Sequence, residues 1–136
     1  MEIELKLRKA DLTKDLKTIN RWYNDWKMNS VADWYFPEDV FIIDGVICAS
    51  YYKTNSKIAY MENVISNPDC PSEIRKAGLG LIGDYIFKQA KSDGFKVVIG
   101  WTDNNSVSKT SQEHGMIISK HQYAFMIKNL NDKGDK

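Results

Sequence analysis

The stretch DVFIIDGVICASYY, residues 39–52, sets the narrowest limit on how this chain can fold. Two apolar, β-rich runs are joined by Asp44-Gly45, a dipeptide that supplies the positive φ angles of a tight hairpin turn. The spacing predicts antiparallel strands over about 39–44 and 46–53. KTNSK then turns the chain into a third run, IAYMENVIS, so the centre of the sequence reads as a three-strand meander. Pro68 and Pro71 end it, because proline cannot donate to a ladder.

The flanking segments add helices. Ile3, Leu5 and Leu7 alternate with charged residues at the period of a half-buried strand. Leu12, Leu16, Ile19, Tyr23 and Trp26 recur at helical spacing, with a cap at Asp11 or Thr13. VADWYF after them reads as a second, irregular helix closed by Pro37. From Arg75, Leu79, Ile82, Ile86 and Ala90 share one helical face up to Asp93-Gly94, and KVVIGW follows as a strand buried on both faces. DNNSVSKTSQEHG reads as a short helix, and MIIS and QYAFMIK as closing β structure. The order describes an α+β domain with a mixed, mostly antiparallel sheet and helices on both faces. Residues 57–66, 75–93 and 96–101 form a central βαβ crossover, which makes its two strands parallel.

At 136 residues and 43% hydrophobic content the chain reads as a single domain over 1–130, with a disordered tail over 131–136. The 19 cations against 18 anions leave a net charge of +1, so no global field recruits nucleic acid or an anionic membrane. Cys48 and Cys70 make no disulfide framework and the first residues show neither an apolar signal core nor an Arg-rich presequence, from which a cytoplasmic location is expected. His114 and His121 have no metal-ligand spacing with the cysteines and read as solvated or capping; Cys48, without a base, reads as a small buried hydrophobe. No nucleophile constellation is present.

The chemistry concentrates at EIRKAGLGL, residues 73–81. Gly78 and Gly80 each cost a helix about 1 kcal/mol relative to alanine, and Arg75 and Lys76 oppose the helix dipole unless an anion is bound. A helix start of this kind is a phosphate site. A Walker loop is absent. Gly78-Leu-Gly80-Leu-Ile-Gly83 matches G-x-G-x-x-G, with Asp103 20 positions after Gly83, but a loop with two prolines separates Ser66 from Gly78 and the preceding strands form a meander, so the dinucleotide reading fails on context.

Arg75-x-x-Gly78-x-Gly80 instead matches [QR]-x-x-G-x-[GA], and in its setting the chain resembles the GNAT superfamily of N-acyltransferases over nearly its whole length. YMENVISNP is similar to the fourth strand of that family, KSDGFKVVIGWTDNN to the end of its pyrophosphate helix and its fifth strand, and Asn104 with Gly115-Met116 eleven positions on to the end of its last helix. The resemblance implies acetyl transfer from acetyl-CoA to a primary amine of a small molecule, protein or peptide by direct attack. Backbone N–H groups of Lys76, Ala77, Gly78, Leu79, Gly80 and Leu81 would cradle the coenzyme A pyrophosphate with Arg75 beside them, and the pantetheine arm would pair with the edge at Val64, Ile65 and Ser66.

An aliphatic amine, with a pKa of about 10.4, arrives protonated and needs a base. Glu62 matches a position that carries an acid in several family members; otherwise it is a solvated or lysine-paired strand residue. The Val64 N–H would polarise the thioester carbonyl. Many relatives place an acidic tyrosine seven residues after the asparagine, where this chain has Ser111; Tyr123 or water would then serve. Asn104 reads as a pantetheine contact or a helix cap, and Gly100 as a close approach or a bulge. The acceptor is expected near Trp22, Tyr23 and Phe36 and above all Trp26, Trp34 and Tyr35. Ser111 also admits a second reading, a GNAT-fold interaction or structural protein without turnover, of the size of a phage-encoded gene product. A homodimer is compatible with either.

Overall fold

The computed structural model describes residues 4–102, 104–119, 124 and 126–130. The elements run β1 (Leu7–Lys9), α1 (Leu12–Asp25), a 3-10 turn (Asp33–Tyr35), β2 (Asp39–Ile43), β3 (Ile47–Tyr52), β4 (Ile58–Ser66), α2 (Ser72–Ser92), β5 (Val97–Ile99) and α3 (Asn105–Glu113). Their strands form one five-stranded sheet in sequence order. Neighbours are antiparallel from β1 to β4, and β4 and β5 are parallel across the α2 crossover.

The expected hairpin is present, with Ile43 opposite Ile47 and Gly45 at φ +73°, a region that glycine enters without steric cost. Alternation along the strands splits the core in two. Phe41, Ile43, Ile47, Ala49, Tyr51, Ala59 and Met61 meet Leu79, Ile82, Ile86 and Ala90 of α2. On the other face Val40, Ile42, Cys48 and Ile65 meet Ile19, Trp22 and Tyr23 of α1 together with Phe36. Each of the Val, Leu, Ile, Phe and Met side chains among them, taken fully out of water, contributes about 1.5–3 kcal/mol, so the two layers hold the sheet between the helices. Asp11 caps α1 by accepting from the Thr13 N–H, and Arg8 clasps Asp15 of that helix and Asp44 of the hairpin at 2.8 and 2.7 Å.

Five expectations change. KVVIGW pairs only over Val97–Ile99 and is not buried on both faces, Val97 being 52% exposed. The first strand pairs only over Leu7–Lys9, and Ile3 lies outside the described residues. VADWYF makes one 3-10 turn rather than a helix, since Phe36 is drawn under α1 as core. α2 starts at Ser72, a turn before Arg75; Pro71, with φ −54° and ψ 142°, stands just ahead of it, where its missing N–H removes no helical bond. Met116–Ser119 and the described residues from 126 to 129 form no strand, and Ile117 and Met126 stay exposed; β5, three residues long, offers little edge to build on. The remainder of QYAFMIK and the expected tail at 131–136 lie outside the described residues.

Candidate functional site

β4 changes face within its length. Ser50 lies opposite Glu62 and Cys48 opposite Ile65, so Ala49 alone faces both Asn63 and Val64. This is a one-residue bulge, and Asn63 adopts φ 54°, a left-handed conformation that asparagine tolerates better than most residues. The extra residue turns Ile65 toward α1, whereas Met61, four positions earlier, packs toward α2.

The same strand parts from β5. Pairing runs from Ile58 opposite Val97 to Tyr60 opposite Ile99 and stops. At the parting point a Cβ on Gly100 would stand 2.9 Å from the Met61 carbonyl oxygen, so only glycine permits this approach before the chain turns away. Beyond it the Trp101 N–H donates to Glu62 Oε1 at 3.2 Å, a side chain taking the place of the next backbone partner. From Met61 to Ser66 the outer edge of β4 has no strand beside it among the described residues.

Glu62 sits at this opening, partly buried. Burial pushes its carboxyl up to about 7, against the lowering effect of the Trp101 N–H. Among the described residues no cation lies within salt-bridge distance of it. Its surroundings are aromatic. Tyr60, two residues earlier on the same face, stacks on Trp101 with ring centroids 5.6 Å apart and planes 13° from parallel. Tyr52, opposite Tyr60, donates its hydroxyl to the Tyr35 carbonyl at 3.0 Å and accepts from Asn63 Nδ2 at 2.6 Å.

The expected phosphate cradle is not formed as the sequence suggested. Because α2 begins at Ser72, the N–H groups of Lys76–Leu81 fall inside the helix, where each is committed to the carbonyl four residues back. Both glycines answer to packing. A Cβ on Gly78 would come 2.8 Å from Val46 Cγ1 and 3.1 Å from Ile47 Cγ2; one on Gly80 would come 2.6 Å from His114 Nε2. Leu79 is core and Ala77 exposed. The backbone donors that remain are those of Ser72 and Glu73, since Ile74 and Arg75 donate to the Pro71 carbonyl and Pro71 has no capping side chain.

The residues thus fit an extended acyl carrier along β4 but not a glycine-lined diphosphate turn. Arg75 lies over the Trp26 ring, 5.3 Å from its centroid, and Trp26 Nε1 donates to the Ser66 carbonyl at 2.7 Å. This joins the end of the open edge to the cations of α2. The Ser66 oxygen keeps a second lone pair for another donor.

Asn104 is the cap of α3, its Oδ1 accepting from the N–H groups of Ser106 and Val107 at 2.9 and 3.2 Å. Ser111 lies half-buried on that helix. His114 is neither simply solvated nor only a cap: its Nδ1 is 3.0 Å from both carboxylate oxygens of Asp84, and its ring covers Gly80. Of the expected acceptor aromatics, Trp22, Tyr23 and Phe36 are core, Trp26 is tied to Ser66, and Trp34 and Tyr35 reach the surface at 80% and 38% exposure. Burial pushes the Cys48 thiol up to about 12, which leaves it inert. Asp103, His121 and Tyr123 lie outside the described residues.

Sequence reasoning passed over Tyr52, Asn63, Tyr60 and Trp101. The signal was present for one pair, because Tyr60 and Glu62 share a strand face by the period of two. Among the described residues no group of His, Cys, Asp and Glu is arranged to hold a metal ion, and no helix is long and apolar enough to cross a membrane.

No family model matches this chain, and no curated protein matches it in sequence. Solved structures do match it. A glucosamine-6-phosphate N-acetyltransferase from Arabidopsis thaliana aligns with TM-score 0.65 at 12% identity, over 93% of this chain and 100% of that one. A Mycobacterium tuberculosis protein solved in complex with CoA aligns with TM-score 0.62 at 16% identity, over 81% of this chain and 70% of that one. An aminoglycoside acetyltransferase from an uncultured soil metagenomic sample, in complex with sisomicin, aligns with TM-score 0.56 at 13% identity, over 92% of this chain and 96% of that one. With the β4 bulge, the parting of β4 from β5 and the α2 crossover, these likenesses establish that the chain has the fold of the GNAT superfamily of N-acyltransferases.

Proposed function

We propose that this protein is an N-acyltransferase that moves an acetyl group from acetyl-CoA to a primary amine, with Glu62 as the base. The observation that carries the reading is the open edge of β4, Met61–Ser66, which ends on a partly buried carboxylate with no cation partner among the described residues. Acetyl-CoA, when bound, supplies an activated acyl carbon and a thiolate leaving group. Val64 and Ser66 present backbone groups to the extended arm, and the Val64 N–H faces the thioester oxygen. The side chains of Arg75 and Lys76, with the Ser72 and Glu73 N–H groups, meet the phosphates. Asn104 keeps its amide nitrogen for the arm, its oxygen being used in the cap.

Glu62 receives one proton of the incoming ammonium, which frees the nitrogen lone pair for attack; as the carbon–sulfur bond breaks, the nitrogen gives up a second proton, through water, to the departing thiolate and an amide is left. Its carboxyl titrates at about 7, where a general base works best at neutral pH. The departing thiolate has a pKa of about 8.5 and needs little help. Ser111, a far weaker acid than a thiol, orients water toward it rather than protonating it.

The test is thiol release from acetyl-CoA in the presence of a panel of amines. Release stimulated by an amine and lost in Glu62→Gln is the expected result, with Arg75→Ala raising the KM for acetyl-CoA. The seating of His114 over Gly80 favours a second reading, a GNAT-fold binding protein without turnover. Absence of any acetyl-CoA thermal shift, in the wild type and in Arg75→Ala alike, would select it.

A further inference from the structure

α1 covers its face of the sheet only in part. Its core partners are Val40, Ile42, Cys48 and Ile65. Further along the same face come Tyr52, Tyr60 and Glu62, placed there by alternation from Ser50 opposite Glu62 and by the pairing of Tyr52 with Tyr60. None of the three belongs to the core, and all are only partly buried. The 3-10 turn borders this uncovered area through Tyr35, whose carbonyl the Tyr52 hydroxyl holds. Trp101, 58% exposed, closes the other side by stacking on Tyr60.

We infer that this aromatic shelf is the acceptor subsite, and that it takes a primary amine with one positive charge on a flat apolar body and without phosphate or carboxylate groups. The inference rests on the acyl-transfer reading for the role of Glu62, but the recognition argument stands on geometry. The shelf is held in shape before a ligand arrives: Tyr52 by two hydrogen bonds, Trp101 by its N–H on Glu62 and by its stack. Ring faces attract an ammonium group and offer flat area to an apolar body.

Charge decides among amines. Glu62 is the carboxylate on the shelf, and Asp33 stands exposed on the bordering turn. The neighbouring cations placed by contacts are held elsewhere, Lys53 on Asp39 beside the Tyr51 ring and Arg75 over Trp26 at the far end of the β4 edge. A phosphate or carboxylate on the acceptor would therefore face a carboxylate and aromatic walls, with no cation among the described residues tied to the shelf. An acceptor with several ammonium groups would leave most of them unpaired. The shelf suits arylalkylamines and disfavours sugar phosphates and polyamines.

The experiment uses the full chain with 2-phenylethylamine, glucosamine 6-phosphate and spermidine as probes. Thiol release with acetyl-CoA should give kcat/KM at least tenfold higher for 2-phenylethylamine than for the other two. Trp101→Ala should raise the KM for 2-phenylethylamine tenfold or more with the acetyl-CoA thermal shift unchanged, and Trp101→Phe, which keeps a ring, should restore most of it. Preference for glucosamine 6-phosphate or spermidine, or indifference to Trp101→Ala, would overturn the acceptor assignment while leaving acyl transfer intact. Conversely, 2-phenylethylamine that quenches indole fluorescence saturably in wild type and not in Trp101→Ala, without thiol release from acetyl-CoA, would sustain the subsite and defeat the acyl-transfer reading.

Discussion

Replacing Glu62 by glutamine should make the protein more stable at pH 8 and flatten its stability between pH 5 and pH 7. Glu62 keeps its proton in the folded protein up to about 7, because burial disfavours the charged form. In the unfolded chain a glutamate ionises near 4.3. Between those values the folded state holds one more proton than the unfolded state, so stability falls as pH rises through the window and is level above it. A displacement of two to three pH units at 1.36 kcal/mol each would amount to ~3–4 kcal/mol for a sealed group. The carboxyl is only partly buried, so solvent screening removes roughly half, leaving about 1.5–2 kcal/mol. Glutamine keeps an acceptor oxygen for the Trp101 N–H and has no proton to lose, so its stability should not follow pH in this range through position 62. Urea unfolding at pH 4, 5, 6, 7 and 8 measures both curves: they should converge near pH 4 and separate by about 1.5 kcal/mol at pH 8. In the wild type kcat/KM should climb tenfold per pH unit up to about 7 and then level. Parallel stability curves with no divergence would refute the claim that Glu62 is desolvated, and with it the argument for this carboxylate as the base.

Gly78→Ala should cost about 1–3 kcal/mol by overpacking, because the new methyl would meet Val46 and Ile47 on the packed face of the hairpin; thermal unfolding checks it. Gly80→Ala should displace the His114 ring and weaken its bond to Asp84, and adding His114→Ala should recover stability, a coupling that a double-mutant cycle reads directly. Asn104→Ala should lower stability by about 1 kcal/mol through loss of the α3 cap, measured by the urea midpoint.

The hairpin at Asp44-Gly45, the meander, the parallel crossover and the two amphipathic helices were legible because each is written in local periodicity and turn chemistry. The start of α2 was misplaced because Arg75, Gly78 and Gly80 look like a helix boundary, while their reasons lie far along the chain, at Trp26, at Val46 and Ile47, and at His114. Local sequence carries no trace of such contacts. Glu62 was found by resemblance, but the shelf around it was not. Tyr52 and Trp101 reach it only through pairing across β3 and β4 and the turn at Gly100. Asn63 was readable in principle, since asparagine is enriched at positive φ, yet nothing in IAYMENVIS marks which residue is the extra one.

The bulge at Asn63 divides β4 into two short strands laid end to end. Ala59 and Met61 before it pack toward α2 and Ile65 after it toward α1, so exchanges at Ala59 or Met61 and at Ile65 should add in their effects on stability. Deleting Asn63 would take out only the extra residue: Val64 would stand alone opposite Ala49 and Ile65 would stay opposite Cys48, so both would keep their faces while the local bend in the strand would be lost.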